Sequence, residues 1–268
     1  MSLNQFPNIT PSRAAALVCR KWYYEEHVNR SVPREEFSPH LAFGTGIHMA
    51  LKRLTDPTIP VPLGERSIED GVRRAFNSQR YPDIDVRETD ICRAIPIVTN
   101  YLAQDTDSAS VIGTEVFADF TLTKSGYRKI TFGAKFDALI ARRQNGIILV
   151  IRDYKSGKYR DVDMESACIA IAVAKAKLNQ FKQDYGLPFS DVVLELDYLG
   201  DNGLSDRVSL GINEVKSVWP ELKARVQFVY NSIEFPAEPG EHCLFCPLRK
   251  TCRPNQSVSL TELDAIFS

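Results

Sequence analysis

Two rhythms of apolar and polar positions divide this chain, and the change between them falls near residue 110. Before it, apolar residues recur every three or four positions, as one face of a helix requires. Residues 12–27 (SRAAALVCRKWYYEEH), 46–54 (GIHMALKRL), 67–78 and 88–103 each read as helices on that ground. Thr10-Pro11-Ser12 is a helix start, with Thr10 at the N-cap and proline in the first turn. From Val111 the texture is that of strands. Residues 111–123 (VIGTEVFADFTLT), 129–141 (KITFGAKFDALIA) and the apolar run 147–151 suit a pleated, buried surface. Lys124-Ser125-Gly126 and Arg143-Gln144-Asn145-Gly146 are turn clusters between them, so the three strands form an antiparallel meander. A helical pattern follows over 163–185, then a strand over 191–199 (DVVLELDYL) and a long helix over 213–233, where Pro220 marks a kink or a fresh start.

The order of elements predicts an α/β fold in one domain spanning 1–268. A mainly helical subdomain occupies 1–110, a core with the three-strand meander, helix and further strand occupies 111–235, and a cysteine-rich segment occupies 236–255, packing on the first helix.

The third strand runs into Arg152-Asp153-Tyr154-Lys155-Ser156-Gly157. Side chains alternate along a strand, so Asp153 and Lys155 point the same way. Asp137 lies in the strand before the hairpin; paired directly with Asp153, it would place the two Cβ atoms about 5 Å apart. Direct pairing sets Arg143 opposite Ile147 and leaves residues 144–146 as the loop. A two-residue Asn145-Gly146 turn would instead set Asp137 opposite Tyr154 and turn it to the other face. The expectation is therefore an odd loop with a left-handed residue, or a bulge beyond Asp137.

Two carboxylates at that separation repel unless a cation or a proton lies between them. Their oxygens suit Mg²⁺ or Mn²⁺, and a lysine beside them completes the tools for phosphodiester hydrolysis. Without further context, Asp153 and Lys155 are equally an exposed pair at a strand end. His27, His40 and His242 read as structural or exposed. His48 differs, because Gly44 and Gly46 permit close helix–sheet approach beside it.

Composition narrows the classes. With 44% hydrophobic and 25% charged residues the chain of 268 can bury a real core. A net charge of −1 excludes a uniformly basic nucleic-acid coat but leaves local basic clusters, at Lys52/Arg53, Arg73/Arg74, Arg142/Arg143, Lys158/Arg160 and Lys175/Lys177/Lys182. No apolar run reaches the ~20 residues of a membrane span, and no secretory signal is evident, so a cytoplasmic location without membrane contact is expected. In such a compartment six cysteines do not form a disulfide framework. Cys243, Cys246 and Cys252 crowd into ten residues and need one further ligand.

Four patches in order resemble the RecB-like branch of the PD-(D/E)XK nucleases: Phe43-Gly44-Thr45-Gly46-Ile47-His48, Gly133-Ala134-Lys135-Phe136-Asp137, Asp153-Tyr154-Lys155-Ser156-Gly157, and the stretch from Gln180 to Tyr185. The resemblance implies that His48, Asp137 and Asp153 bind Mn²⁺ or Mg²⁺, that Lys155 is catalytic, and that Gln180 and Tyr185 line the site. Those last two stand five apart where the family has four. Glu115 would be a ligand to a second metal, or an exposed strand glutamate. Cys243-x2-Cys246-x5-Cys252 is similar to the C-terminal cysteines of iron–sulfur relatives, the CRISPR-associated and AddB-type nucleases, which implies a structural 4Fe–4S cluster completed by Cys19. A zinc ion on the four thiolates is the competing reading, and Cys92 and Cys168 read as free buried thiols. The implied activity is a metal-dependent deoxyribonuclease, an exonuclease on single-stranded DNA or DNA ends. The alternatives are an inactive nucleic-acid-binding module of the same fold or a zinc-stabilised binding protein; a homo-oligomer or a recombination or CRISPR-type protein partner is left open.

Overall fold

In the computed structural model, which describes residues 8–32, 38–59, 65–105, 107, 110–122, 129–156, 163–232, 234–244 and 246–252, the apolar run 147–151 is the middle of a five-stranded sheet. The strands are β1 (Val111–Leu122), β2 (Ile130–Arg143), β3 (Ile147–Ser156), β4 (Phe189–Gly200) and β5 (Gly203–Leu210), in that spatial order. Neighbours are antiparallel except β3 and β4, which are parallel. Parallel neighbours need a crossover, and α5 (Met164–Ala176) with α6 (Leu178–Tyr185) supplies it. β3 is covered on both faces, which is why its sequence is a continuous apolar run. Leu149 and Ile151 pack in the cluster with α5, α7 (Ile212–Val215) and α8 (Trp219–Asn231). Ile148, Val150 and Tyr154 pack in the other cluster, against α2 (Pro39–Thr55), α3 (Glu65–Asn77) and α4 (Ile84–Gln104). Each such burial contributes roughly 1.5–3 kcal/mol.

The β2–β3 hairpin has the register that direct pairing of Asp137 and Asp153 requires. Arg143 pairs with Ile147 and Ala138 with Arg152, leaving the three-residue loop 144–146. Asn145 takes φ 49° and Gly146 φ 130°, left-handed values that asparagine and glycine accept more readily than other residues. The Lys124-Ser125-Gly126 turn, Gly157 and the Lys158/Arg160 cluster lie outside the described residues.

Three expectations need correction. Residues 12–27 are not one helix: a 3₁₀ segment (Pro11–Val18), α1 (Arg20–Tyr23) and a π turn (Tyr24–Val28) follow one another, and Cys19 between the first two is extended at φ −142°, ψ 119°. The tail competes for the helix there, because the Arg20 N–H donates to Glu238 Oε2 at 2.9 Å instead of to a helical carbonyl. The stretch 163–185 breaks at Lys177, which leaves helical geometry at φ −97°, ψ 3°. β5 was not anticipated. Its sequence, GLSDRVSL, buries only its two ends, as an edge strand does, and so lacks a clear apolar alternation.

In the basic cluster Arg142/Arg143, Arg142 is engaged in ion pairs within the protein. Arg142, Arg152 and Arg207 meet Asp105, Asp107, Glu195 and Asp197 in one ion-pair network that joins β2 through β5 to the end of α4. Arg152 is 0% exposed and reaches Asp105 at 2.8 Å, Glu195 at 2.9 Å and Asp107 at 3.1 Å. Burial alone would raise Glu195, but hydrogen bonds from Arg142 and Arg152 hold it down at about 2.

Candidate active site

At the end of β3 lies an open cleft of about 880 Å³. Its lining comes from α2 (His40, Leu41, Gly44, Thr45, His48), β2 (Ala134 to Phe136), the end of β3 and the start of α5. The N-terminal segment adds Thr10 to Arg13. That segment is laid beside β2 by a parallel bridge: the Ile9 N–H donates to the Thr131 carbonyl and Gly133 N–H to the Ile9 carbonyl, both at 2.8 Å.

Strand geometry explains how Asp137 reaches the cleft. β2 parts from both neighbours there. Pairing with β1 skips from Phe136 to Ala138, and pairing with β3 ends at Ala138–Arg152. Phe136 and Leu139 pack on the α5 side while Ala138 and Ile140 pack on the other, so the alternation slips by one residue at Asp137. On β1, Glu115 sits at the same level with φ 55°, a left-handed conformation that costs on the order of 1–3 kcal/mol.

His48 is brought in by α2. Gly44 lies against β3, where a Cβ would stand 2.8 Å from Ser156 Oγ; Gly46 instead backs onto Phe76 of α3, where a Cβ would be 2.5 Å from the ring. Only the first serves helix–sheet approach. The second packs two helices, and together they hold His48 over the strand ends.

His48 Nδ1 lies 3.2 Å from Asp137 Oδ2, and the Tyr154 N–H donates to the same oxygen at 2.9 Å. Lys155 Nζ lies 2.6 Å from Asp153 Oδ2. Burial pushes Asp153 up, Asp137 adds to this, and Lys155 opposes it. Burial also acts to raise Asp137, but the His48 hydrogen bond and charge and the Tyr154 N–H outweigh it and hold it down. Burial would lower His48, yet Asp137 and Asp153 raise it. Likewise burial opposes the Lys155 charge while Asp153 restores it, leaving the ammonium raised.

His48, Asp137, Asp153 and Lys155 are thus assembled at one spot. Among the described residues no three His, Cys, Asp or Glu are arranged as a finished ligand set, and here Asp153 is paired to Lys155 and Asp137 to His48 and Tyr154. The donor chemistry, two carboxylates and an imidazole, nonetheless suits a divalent ion.

The structure does not bring the remaining candidates to this spot. Glu115 is ion-paired to Lys135. Gln180 is exposed on α6 and donates to Asp184 at 3.1 Å, and the Tyr185 ring packs toward Gly113 of β1. The break at Lys177 carries both off the cleft, and the helix that lines it is α5, through Ser166, Ala167 and Ala170. Sequence reading assigned no site role to Asp163, the N-cap of α5, to Arg13 or Phe117, or to Ser156 of the third patch, all of them cleft residues. Thr10 to Ser12 carried a signal, read only as a helix start. His40 lines the cleft as well.

Cys19, Cys243, Cys246 and Cys252 line one small hollow together with Trp22, Glu238 and His242. The Gly240 N–H donates to Cys243 Sγ at 3.4 Å. Burial pushes the Cys246 thiol up, the Leu248 backbone opposes, and the other three cysteines push it up further. His242 Nε2 is buried in the same hollow with no hydrogen-bond partner. Four sulfurs and an orphaned imidazole nitrogen around one hollow fit a thiolate-bound group there. Cys168 is buried on α5, whereas Cys92 on α4 is exposed, contrary to expectation.

No curated protein is significantly similar to the chain. Among solved structures, a protein named "Putative exonuclease" from Eubacterium rectale superposes with TM-score 0.58 at 13% identity, over 99% of this chain and 98% of that one. SSO0001 aligns over 89% of this chain and 95% of its own, at 11% identity and TM-score 0.35, a level that supports no inference. Among the described residues no helix is long and apolar enough to cross a membrane. The family model of the PD-(D/E)XK nuclease superfamily matches residues 10–253, nearly the whole chain and every element that builds the cleft, and the chain belongs to that superfamily.

Proposed function

We propose that the chain is a divalent-metal-dependent deoxyribonuclease of the RecB-like branch, acting on single-stranded DNA or DNA ends. The observation that carries this reading is the convergence of His48, Asp137, Asp153 and Lys155 in one open cleft. Nucleases of this superfamily use divalent metals such as Mg²⁺ or Mn²⁺. Asp137, Asp153 and His48 would hold the ion, which supplies charge neutralisation at the phosphate and acidification of water. The imidazole favours Mn²⁺. Lys155 keeps its proton beside Asp153 and offers a cation to the scissile phosphate. The Tyr154 N–H and His48 fix the Asp137 carboxylate in its ionised form. The name of the Eubacterium rectale protein supports a preference for ends.

The test is cleavage of end-labelled linear and of circular single-stranded DNA with Mn²⁺ and with Mg²⁺. Shortening of the linear strand with intact circles is expected. No cleavage of either substrate overturns the nuclease reading, and cleaved circles overturn the requirement for ends.

The cysteine hollow supports a structural 4Fe–4S cluster on Cys19, Cys243, Cys246 and Cys252. It would clip the extended break at Cys19 to the tail, beside the Arg20–Glu238 pair at 3.3 Å. Closing a loop of more than two hundred residues restricts the unfolded chain strongly. Anaerobically purified protein should be brown, with about four irons per chain. Cys19→Ala should lose iron as completely as Cys246→Ala, while Cys92→Ala and Cys168→Ala keep it. Zinc in place of iron would overturn the cluster, and full iron in Cys19→Ala would move the fourth ligand, with His242 next in line.

A further inference from the structure

Two of the large apolar side chains left exposed among the described residues line the cleft of Asp153 and Lys155: Leu41 on α2 and Phe117 on β1. Phe117 is 56% exposed in the middle of a strand, and its placement is built rather than incidental. In the β1–β2 ladder it pairs with Lys135, and its ring crosses to the diagonal neighbour, Gly133. A Cβ at 133 would stand 3.1 Å from Cζ and 3.3 Å from Cε2 of that ring. The absence of a side chain there lets the ring lie down on the strand. Gly133 is itself fixed, since its N–H donates to the Ile9 carbonyl at 2.8 Å. The Cζ–Cε2 side of the ring rests over Gly133, and more than half of the side chain stays open to solvent.

We propose that Phe117 is the stacking platform for an unpaired nucleobase of the strand being cut, and so selects single-stranded over duplex nucleic acid. This rests on the nuclease reading above. Cations line the same cleft, Lys135, the cross-strand partner of Phe117 that is also ion-paired to Glu115, and Arg13 on the N-terminal segment, and they suit a phosphate backbone running through it. An aromatic face next to such cations takes any base, because every base has a π face. Bases inside a duplex already stack on both sides and offer no free face to the ring. A protein partner would cover the ring equally well, but it would also block the approach to Asp153 and Lys155 from the same cleft.

The test is equilibrium binding of labelled oligonucleotides to the full chain in EDTA, which separates binding from cleavage. Phe117→Ala should weaken single-strand binding about tenfold, the scale of one stacked base, and leave blunt duplex binding within about twofold of wild type. Phe117→Trp should retain affinity and Phe117→Leu should not, since leucine restores apolar area without a π face. A single abasic residue walked along the strand should cost wild type about tenfold at one position and cost Phe117→Ala nothing further there. Wild-type binding by Phe117→Ala, full rescue by leucine, or equal abasic losses in both proteins at every position would overturn the stack. If wild type neither binds nor cuts DNA, the nuclease reading falls and the stack with it. If wild type binds and cuts while Phe117→Ala is unchanged, the stack alone falls.

Discussion

Lys155→Ala lowers the cleavage rate by at least about 100-fold, the usual cost of removing a group that stabilises transition-state charge. Its fold should survive. The Lys155 side chain is 46% exposed at the end of β3, and the ion pair that it loses is partly solvated, so little stability goes with it. The chemical loss is twofold. The cation beside the phosphate disappears, and Asp153 loses the one charge among its neighbours, apart from His48, that keeps it from protonating. Asp153→Ala should be as inactive for the complementary reason, the loss of a carboxylate donor. Lys155→Arg separates the two effects: a guanidinium can still pair with Asp153 but, being larger and planar, does not set its charge where the ammonium stands. It should recover stability and little activity. The measurement is a single-turnover rate with Mn²⁺ on end-labelled single strands, read beside a thermal melt. Wild-type rates in either alanine variant would remove these residues from the reaction.

The central part of this site was legible in the sequence because it depends on strand parity. Asp137, Asp153 and Lys155 follow from a period of two and one loop length, and Asn145-Gly146 with the residue before it supplied that loop. His48 was legible through its glycines, though Gly46 serves α3 and not the sheet. Gln180 and Tyr185 were misplaced for want of one fact, the break at Lys177, which no proline or glycine announces. The fifth strand was hidden because an edge strand buries too little to enforce alternation. The extended break at Cys19 was hidden because its cause is Glu238, more than two hundred residues away. Local patterns report local competition; contacts of that range have no signature in them.

The arginine network is the clearest case of something illegible, and it carries the second large effect. Arg152→Met should lower the unfolding free energy by about 3–5 kcal/mol, the cost of taking from these carboxylates the one partner that is fully buried with them. Arg152 serves Asp105, Asp107, Glu195 and Asp197 at once from full burial, whereas Arg142 and Arg207 hold the same carboxylates from partly exposed positions. Arg152→Lys should recover little, since a compact ammonium lacks the planar fork that reaches several acceptors. The pH dependence has a definite sign. Glu195 is held at about 2 in the fold, below its ordinary carboxylate value, so its stabilising contribution is present above about pH 4–5 and is lost as pH falls toward 2. A depression of that size corresponds to roughly 3 kcal/mol at neutral pH. In Arg152→Met the depression shrinks, so the gap between variant and wild type should be largest near pH 7 and narrow on acidification. Urea unfolding at pH 7 and at pH 3 reads both quantities. A variant within about 1 kcal/mol of wild type at pH 7, or a gap that widens in acid, would mean that the carboxylates do not depend on Arg152. Because Arg152 and Asp153 are consecutive on β3 and point to opposite faces, the same variant should also loosen the strand end that holds Asp153 and Lys155. Its cleavage rate should then fall more steeply with temperature than that of wild type, before global unfolding begins.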